Sequence, residues 1–183
     1  MQQPVGLIQV KDGQKVRAIL SELTEKHLAD FEMYWKPRLN ASNQVDRYWD
    51  WVAKCRMTAS ELNFEKYAIE YDKIAQGLVQ LELRWHRSQI YPSKNLVYVD
   101  YLATAPWNRP ELEEIPRFRG VGRALLLFAR QRSLELGYEG RIGLHALPAA
   151  EAFYDKLKIA NYGPDPDKEN LVYFEAGPFK TRS

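Results

Sequence analysis

Arg117-Phe118-Arg119-Gly120-Val121-Gly122-Arg123-Ala124 runs straight into Leu125-Leu126-Leu127-Phe128-Ala129. This is a basic segment with two glycines two apart, opening without a gap into an apolar helix. A strand-like run, Leu96-Val97-Tyr98-Val99-Asp100-Tyr101-Leu102-Ala103, stands upstream. Glycines let a backbone approach a ligand closely, and the first helical turn leaves N–H groups unpaired. The helix dipole favours an anion there, and flanking arginines add charge-assisted hydrogen bonds. The junction reads as a pyrophosphate site. It is neither of two commoner phosphate loops. No Lys-Ser/Thr pair follows the glycines as a P-loop requires, and Leu125 occupies the place of the third glycine of a dinucleotide fingerprint.

Working outward, the segment from 96 to 104 is the most apolar strand and is expected at the sheet centre. Residues 121–136 read as a helix stopped by Gly137. Residues 141–146 read as a strand, 149–157 as a short helix after Pro148, 162–168 as turns, and 171–175 as a final strand. Towards the N-terminus, 65–71 and 74–85 read as two strands joined by Tyr71-Asp72-Lys73, with Val79, Leu81 and Leu83 on one face of the second. Gly77 inside that strand predicts a bulge or a close approach. Residues 5–10 form a short strand closed by Lys11-Asp12-Gly13. The region from 14 to about 63 reads as mostly helical, with Val16, Ile19, Leu20 and Leu23 at helical spacing. Within it Pro37 interrupts a second helix, and 45–57 forms a third. The order β, helices, β-β-β, helix, β, helix, β defines a mixed α/β domain.

Arg117-x-x-Gly120-x-Gly122 resembles the Arg/Gln-x-x-Gly-x-Gly/Ala signature of the GNAT N-acetyltransferases. Val99-x-x-Leu102-x-Thr104-x-Pro106 is similar to that family's fourth strand, although Thr104 replaces an aliphatic residue. Leu144-x-Ala146 followed by Ala152-Phe153-Tyr154-Asp155-Lys156-Leu157 looks like its second cofactor segment. The resemblance is specific over 97–157 and weak over the first 60 residues, and an enlarged Pro-containing loop at 107–116 departs from the pattern. It implies a single-domain, mixed but mostly antiparallel sheet flanked by helices, with the fourth and fifth strands splayed. One domain would span 1–183, with the acceptor side at about 5–95 and the CoA-binding half at about 96–175. Acetyl-CoA is the implied co-substrate. Backbone N–H groups of Val121, Gly122, Arg123 and Ala124, with Arg119 and Gly120 nearby, would cradle its pyrophosphate beside Arg117. The backbone of Tyr101, Leu102 and Ala103 would pair with the pantetheine arm, and an N–H near Leu102 would serve as oxyanion donor.

The resemblance also makes Tyr154 the proton donor to the departing thiolate, against a reading of it as helix core. Direct attack by an amine needs a base or a water path, and Asp100, His145 and then Glu82 are the candidates, each also readable as a structural polar residue. No cysteine near the motif supports a covalent acetyl-enzyme. The expected reaction is acetyl transfer from acetyl-CoA to a small-molecule or peptide amine. Two alternatives are a toxin-type enzyme acting on aminoacyl-tRNA and a catalytically idle acyl-CoA-binding module. A homodimer is compatible with the family.

Bulk properties narrow the field. At 183 residues the chain is long enough for one well-buried domain and short for two. A net charge of +2 is too small to argue for nucleic acid. The basic residues Arg38, Arg47, Lys54 and Arg56 are scattered and read as a solvated face. The single Cys55 allows no intrachain disulfide and suits a reducing cytosol. His27, His86 and His145 are isolated and lack metal-ligand spacing, so no metal is expected. With no signal-peptide pattern at Met1-Gln2-Gln3-Pro4 and no apolar run near ~18 residues, a cytoplasmic protein without membrane contact is expected. The aromatic residues Phe31, Tyr34, Trp35, Tyr48, Trp49 and Trp51 read as helix core, with a share in the acceptor pocket open to some of them and to Trp107.

Overall fold

Val16, Ala18 and Leu20 alternate with more exposed neighbours, and Lys15–Glu22 is a strand, not the start of a helix. β-branched Val16 and Ile19 suit a pleated surface better than a helix, and strand pairing on both sides decides the matter. The computed structural model describes residues 2–179. Its strands are β1 (Gln2–Gln9), β2 (Lys15–Glu22), β3 (Phe64–Tyr71), β4 (Ile74–Glu82), β5 (Val97–Thr104), β6 (Phe118–Arg119), β7 (Ile142–Ala146), β8 (Ala160–Asp165) and β9 (Leu171–Ala176). Its α-helices are α1 (Glu25–Asp30), α2 (Lys36–Asn40), α3 (Trp51–Met57), α4 (Val121–Glu135) and α5 (Glu151–Lys156). The hydrogen-bonded strand order is β6-β1-β2-β3-β4-β5-β7-β9-β8. The β5–β7 pair is parallel and its register covers Val97↔Ile142 and Tyr98↔Gly143, after which the two strands part. The mixed, mostly antiparallel sheet with splayed strands expected from the sequence is present.

Chain contacts divide the protein into two units, one of residues 2–80 and 101–125, the other of 81–100 and 126–179. In the first, Phe31, Trp35, Leu39, Trp51, Leu78 and Trp107 form the core with the small residues Ala68, Ala75, Ala103 and Ala105. A π-turn at Phe31–Trp35 links α1 to α2 and carries the helical path through Pro37, which sits in the first turn of α2. The expected 45–57 helix is broken: Val45–Tyr48 is a 3₁₀ turn, and Asp50 caps α3 by accepting from the Ala53 N–H at 2.8 Å. Asp72 and Lys73 both adopt positive φ in the β3–β4 turn, as a two-residue hairpin demands. A Cβ on Gly77 would fall 2.5 Å from Val121 and 3.0 Å from Leu125, so the close approach predicted there is by α4.

In the second unit β7 lies between β5 and β9, and β8 pairs with β9 through residue 165, into the stretch 162–168 expected as turns. Gly137 takes φ +78 after α4, the left-handed stop expected of it. Glu175 is fully buried, and its carboxylate accepts from Ser88 Oγ, the Gln89 N–H at 2.8 Å and Tyr173 Oη at 2.7 Å. Sequence order gives no sign of this network.

Candidate active site

In the first unit the phosphate junction is built by three elements. β6 pairs with β1 through Ile8↔Arg119, Gly120 turns the chain with φ +96, and α4 begins at Val121. The first α4 bond runs from the Ala124 N–H to the Gly120 carbonyl at 2.8 Å. The Ala124 amide is therefore engaged inside the helix, and those of Val121, Gly122 and Arg123 have no intrahelical acceptor. Arg117, Arg119 and Arg123 are exposed, and none has an acidic partner among the described residues. Arg117 rests its guanidinium 5.3 Å from the Trp107 ring centre and borders an open cleft of about 800 Å³ shared with Lys11, Tyr34 and Arg38.

The enlarged loop is ordered by hydrogen bonds. Arg117 N–H donates to the Trp107 carbonyl at 2.8 Å, and the Trp107 indole donates to Gln76 Oε1 at 2.8 Å. Phe118 N–H donates to Asn108 Oδ1 at 3.1 Å. Buried Arg109 grips buried Asp46 through two bonds of 2.9 and 2.7 Å and also donates to the Thr104 carbonyl. This pair joins the loop to the turn before α3. Trp107 itself is 3% exposed and belongs to the core.

Tyr101 and Leu102 are half-buried and Ala103 is buried, so β5 is less buried than β4, against the sequence reading. Of the aromatic set, Phe31, Trp35 and Trp51 are core, Tyr34 and Tyr48 are exposed, and Trp49 is half-buried with its ring 4.9 Å from Tyr101. Cys55 lies half-buried in α3, where desolvation pushes its thiol pKa up.

The base candidates lie in the second unit. Glu82 is 1% exposed and accepts from the backbone N–H groups of Arg84, Trp85 and His86 and from His86 Nδ1 at 2.7 Å. That carboxylate caps the turn after β4. Asp100 is half-buried on β5. His145 is held at both nitrogens: Nε2 lies 2.9 Å from Asp165 Oδ2, and Nδ1 lies 2.7 Å from Tyr98 Oη. An ionised carboxylate only accepts, so Nε2 carries the proton and Nδ1 accepts from the Tyr98 hydroxyl. Desolvation draws the His145 pKa below its ordinary value, outweighing the pull of Asp165. The His86 ring stacks on Tyr98 at 3.8 Å and 8°. Tyr98 is also the last β5 residue paired with β7, so this chain of groups stands where the strands begin to part. Tyr98 and Asp165 were missed by the sequence reading. Tyr154 on α5 is buried, packs 5.4 Å from Phe174, and has its phenol pKa raised by desolvation.

No protein-family model and no curated sequence matches the chain. Solved structures do. The chain is similar to the PaiA N-acetyltransferase of Thermoplasma acidophilum in complex with coenzyme A, at 13% identity over 88% of this chain and 99% of that one, TM-score 0.58. It is similar to the Bacillus subtilis N-acetyltransferase YlbP in complex with coenzyme A, at 16% identity over 88% and 97%, TM-score 0.55. It is also similar to a mutant of the AtaT toxin bound to the C-terminus of the antitoxin AtaR, at 17% identity over 85% and 90%, TM-score 0.54. The fold is that of the GNAT N-acetyltransferases. Among the described residues, no helix is long and apolar enough to cross a membrane, and no group of His, Cys, Asp and Glu is placed to hold a metal ion.

Proposed function

We propose that the chain is an acetyl-CoA-dependent N-acetyltransferase that passes the acetyl group directly to an amine. The observation that carries this is the α4 junction: Gly120 at φ +96, three amides without intrahelical acceptors, and three exposed arginines without acidic partners. These are groups suited to a pyrophosphate. Gly120, Val121, Gly122 and Arg123 would hold it, with Arg117 and Arg119 beside them, and the backbone of Tyr101, Leu102 and Ala103 would align the pantetheine arm. Bound acetyl-CoA supplies an activated acyl group on a thiol leaving group. The chain's own part is to position, to polarise and to move two protons. Tyr154 keeps its proton across the working pH range and serves as donor to sulfur. Tyr98, backed by His145 and Asp165, takes the amine proton.

Calorimetry with CoA tests the cofactor assignment. The parent protein is expected to bind, and Gly122→Glu to lose at least about tenfold in affinity through bulk and negative charge at the junction. No binding, or equal binding by parent and variant, refutes it. Tyr154→Phe, followed by thiol release, is expected to lower kcat about tenfold to a hundredfold with CoA affinity unchanged. The effect is bounded because a thiol with pKa near ~8.5 leaves well without help. An idle binding module would bind CoA and show no turnover to lose.

A further inference from the structure

Lys54 on α3 is half-buried, with its Nζ 3.3 Å from the Tyr101 ring centre and 5.4 Å from that of Trp49. Trp49, Trp51 and Tyr101 stand edge to face with one another, with ring centres 4.9–6.4 Å apart. The sequence placed Lys54 on a solvated face, where a lysine keeps its rotamer freedom in water. Here the ring faces draw the ammonium back against β5. It meets no carboxylate among the described residues, since nearby Asp50 is engaged in capping α3. Trp51 is fully buried, and its indole N–H has no acceptor. The ammonium of Lys54 and the indole N–H of Trp51 are both donors.

We propose that the acceptor amine also carries an anionic group, a carboxylate or a phosphate, and that Lys54 is the residue that binds it. The inference rests on the acetyltransferase reading, which assigns the Tyr101 segment to the acyl donor. An anion drawn to Lys54 then brings the amine of the same molecule to that segment. Trp49 and Tyr101 offer ring faces to the rest of the acceptor. An acceptor that is cationic throughout meets a like charge at this point, which disfavours it.

Matched amines test this. Thiol release from acetyl-CoA is measured with phenylalanine against phenylalaninamide, phosphoethanolamine against ethanolamine, and spermidine, while calorimetry follows CoA binding separately. The expected result is a kcat/KM for phenylalanine or phosphoethanolamine at least about tenfold above its neutral partner. The pair that shows the preference identifies carboxylate or phosphate. Lys54→Met is expected to abolish the preference through KM at unchanged CoA affinity, and Lys54→Arg to keep most of it. Preference for the neutral amines or spermidine overturns the proposal, as does a preference that survives Lys54→Met. CoA binding with no turnover of any of these amines also overturns it and leaves the cofactor assignment standing. Absence of CoA binding overturns both.

Discussion

Arg109→Ala is expected to lower the free energy of unfolding by about 3–5 kcal/mol, a large share of the roughly 5–15 kcal/mol that holds a domain of this size together. The cause is what the substitution leaves behind. Asp46 is buried and its two carboxylate oxygens are matched by Arg109 Nη1 and Nη2, so truncation strands a charge away from water. The Thr104 carbonyl at the end of β5 loses two donors in the same step. The loop that Arg109 anchors leads directly into β6 and Gly120, so CoA affinity should fall as well. Urea unfolding by fluorescence measures the first effect and calorimetry the second. Asp46→Leu combined with Arg109→Met should recover much of the loss, because no lone charge remains. Glu113→Gln is the contrast. Its 3.5 Å contact with Arg38 joins side chains 41% and 46% exposed, and its removal should change stability by less than about 1 kcal/mol.

The parts of this protein that could be read from sequence are those whose physics is local. The 117–124 junction needs only glycine freedom, charge and the start of a helix, all contiguous. Gly137 and the Tyr71-Asp72-Lys73 turn are local in the same way. β2 was misread because Val16, Ile19, Leu20 and Leu23 satisfy a helical spacing while Val16, Ala18 and Leu20 satisfy a strand spacing, and pairing with β1 and β3 breaks the tie. The 160–165 segment holds Gly163 and Pro164, which argue for a turn until β9 is alongside. Arg109 and Asp46 lie 63 positions apart, and Tyr98 and His145 lie 47 apart. Strand order brings the second pair together, and the packing of the 107–116 loop on the turn before α3 brings the first. His145 was legible as a titratable residue on a strand, but what it does depends on two partners that no spacing rule selects.

His145→Gln is expected to lower kcat/KM by about 10²–10⁴ and to remove the acid limb of its pH profile. In the proposed step the amine proton passes to Tyr98 Oη as the Tyr98 proton passes to His145 Nδ1. The imidazolium so formed is held by the Asp165 carboxylate at Nε2. The step needs His145 neutral at the start. Its pKa lies below the ordinary 6.5, chiefly through desolvation, while Asp165 pulls it upward. The limb should therefore inflect below pH 6.5, with the rate rising as pH rises through it. A primary amine with pKa near ~10.4 contributes its own limb far to the alkaline side, so the two are separable. Asp165→Asn removes the upward pull, which moves the acid limb to still lower pH and slows the reaction because the imidazolium loses its counter-charge. Tyr98→Phe should match His145→Gln in rate while leaving the imidazole free to titrate, which proton NMR of the His145 ring would follow. A merely structural role for His145 predicts something different in kind: a lower rate across the whole pH range, with the limb in its original place.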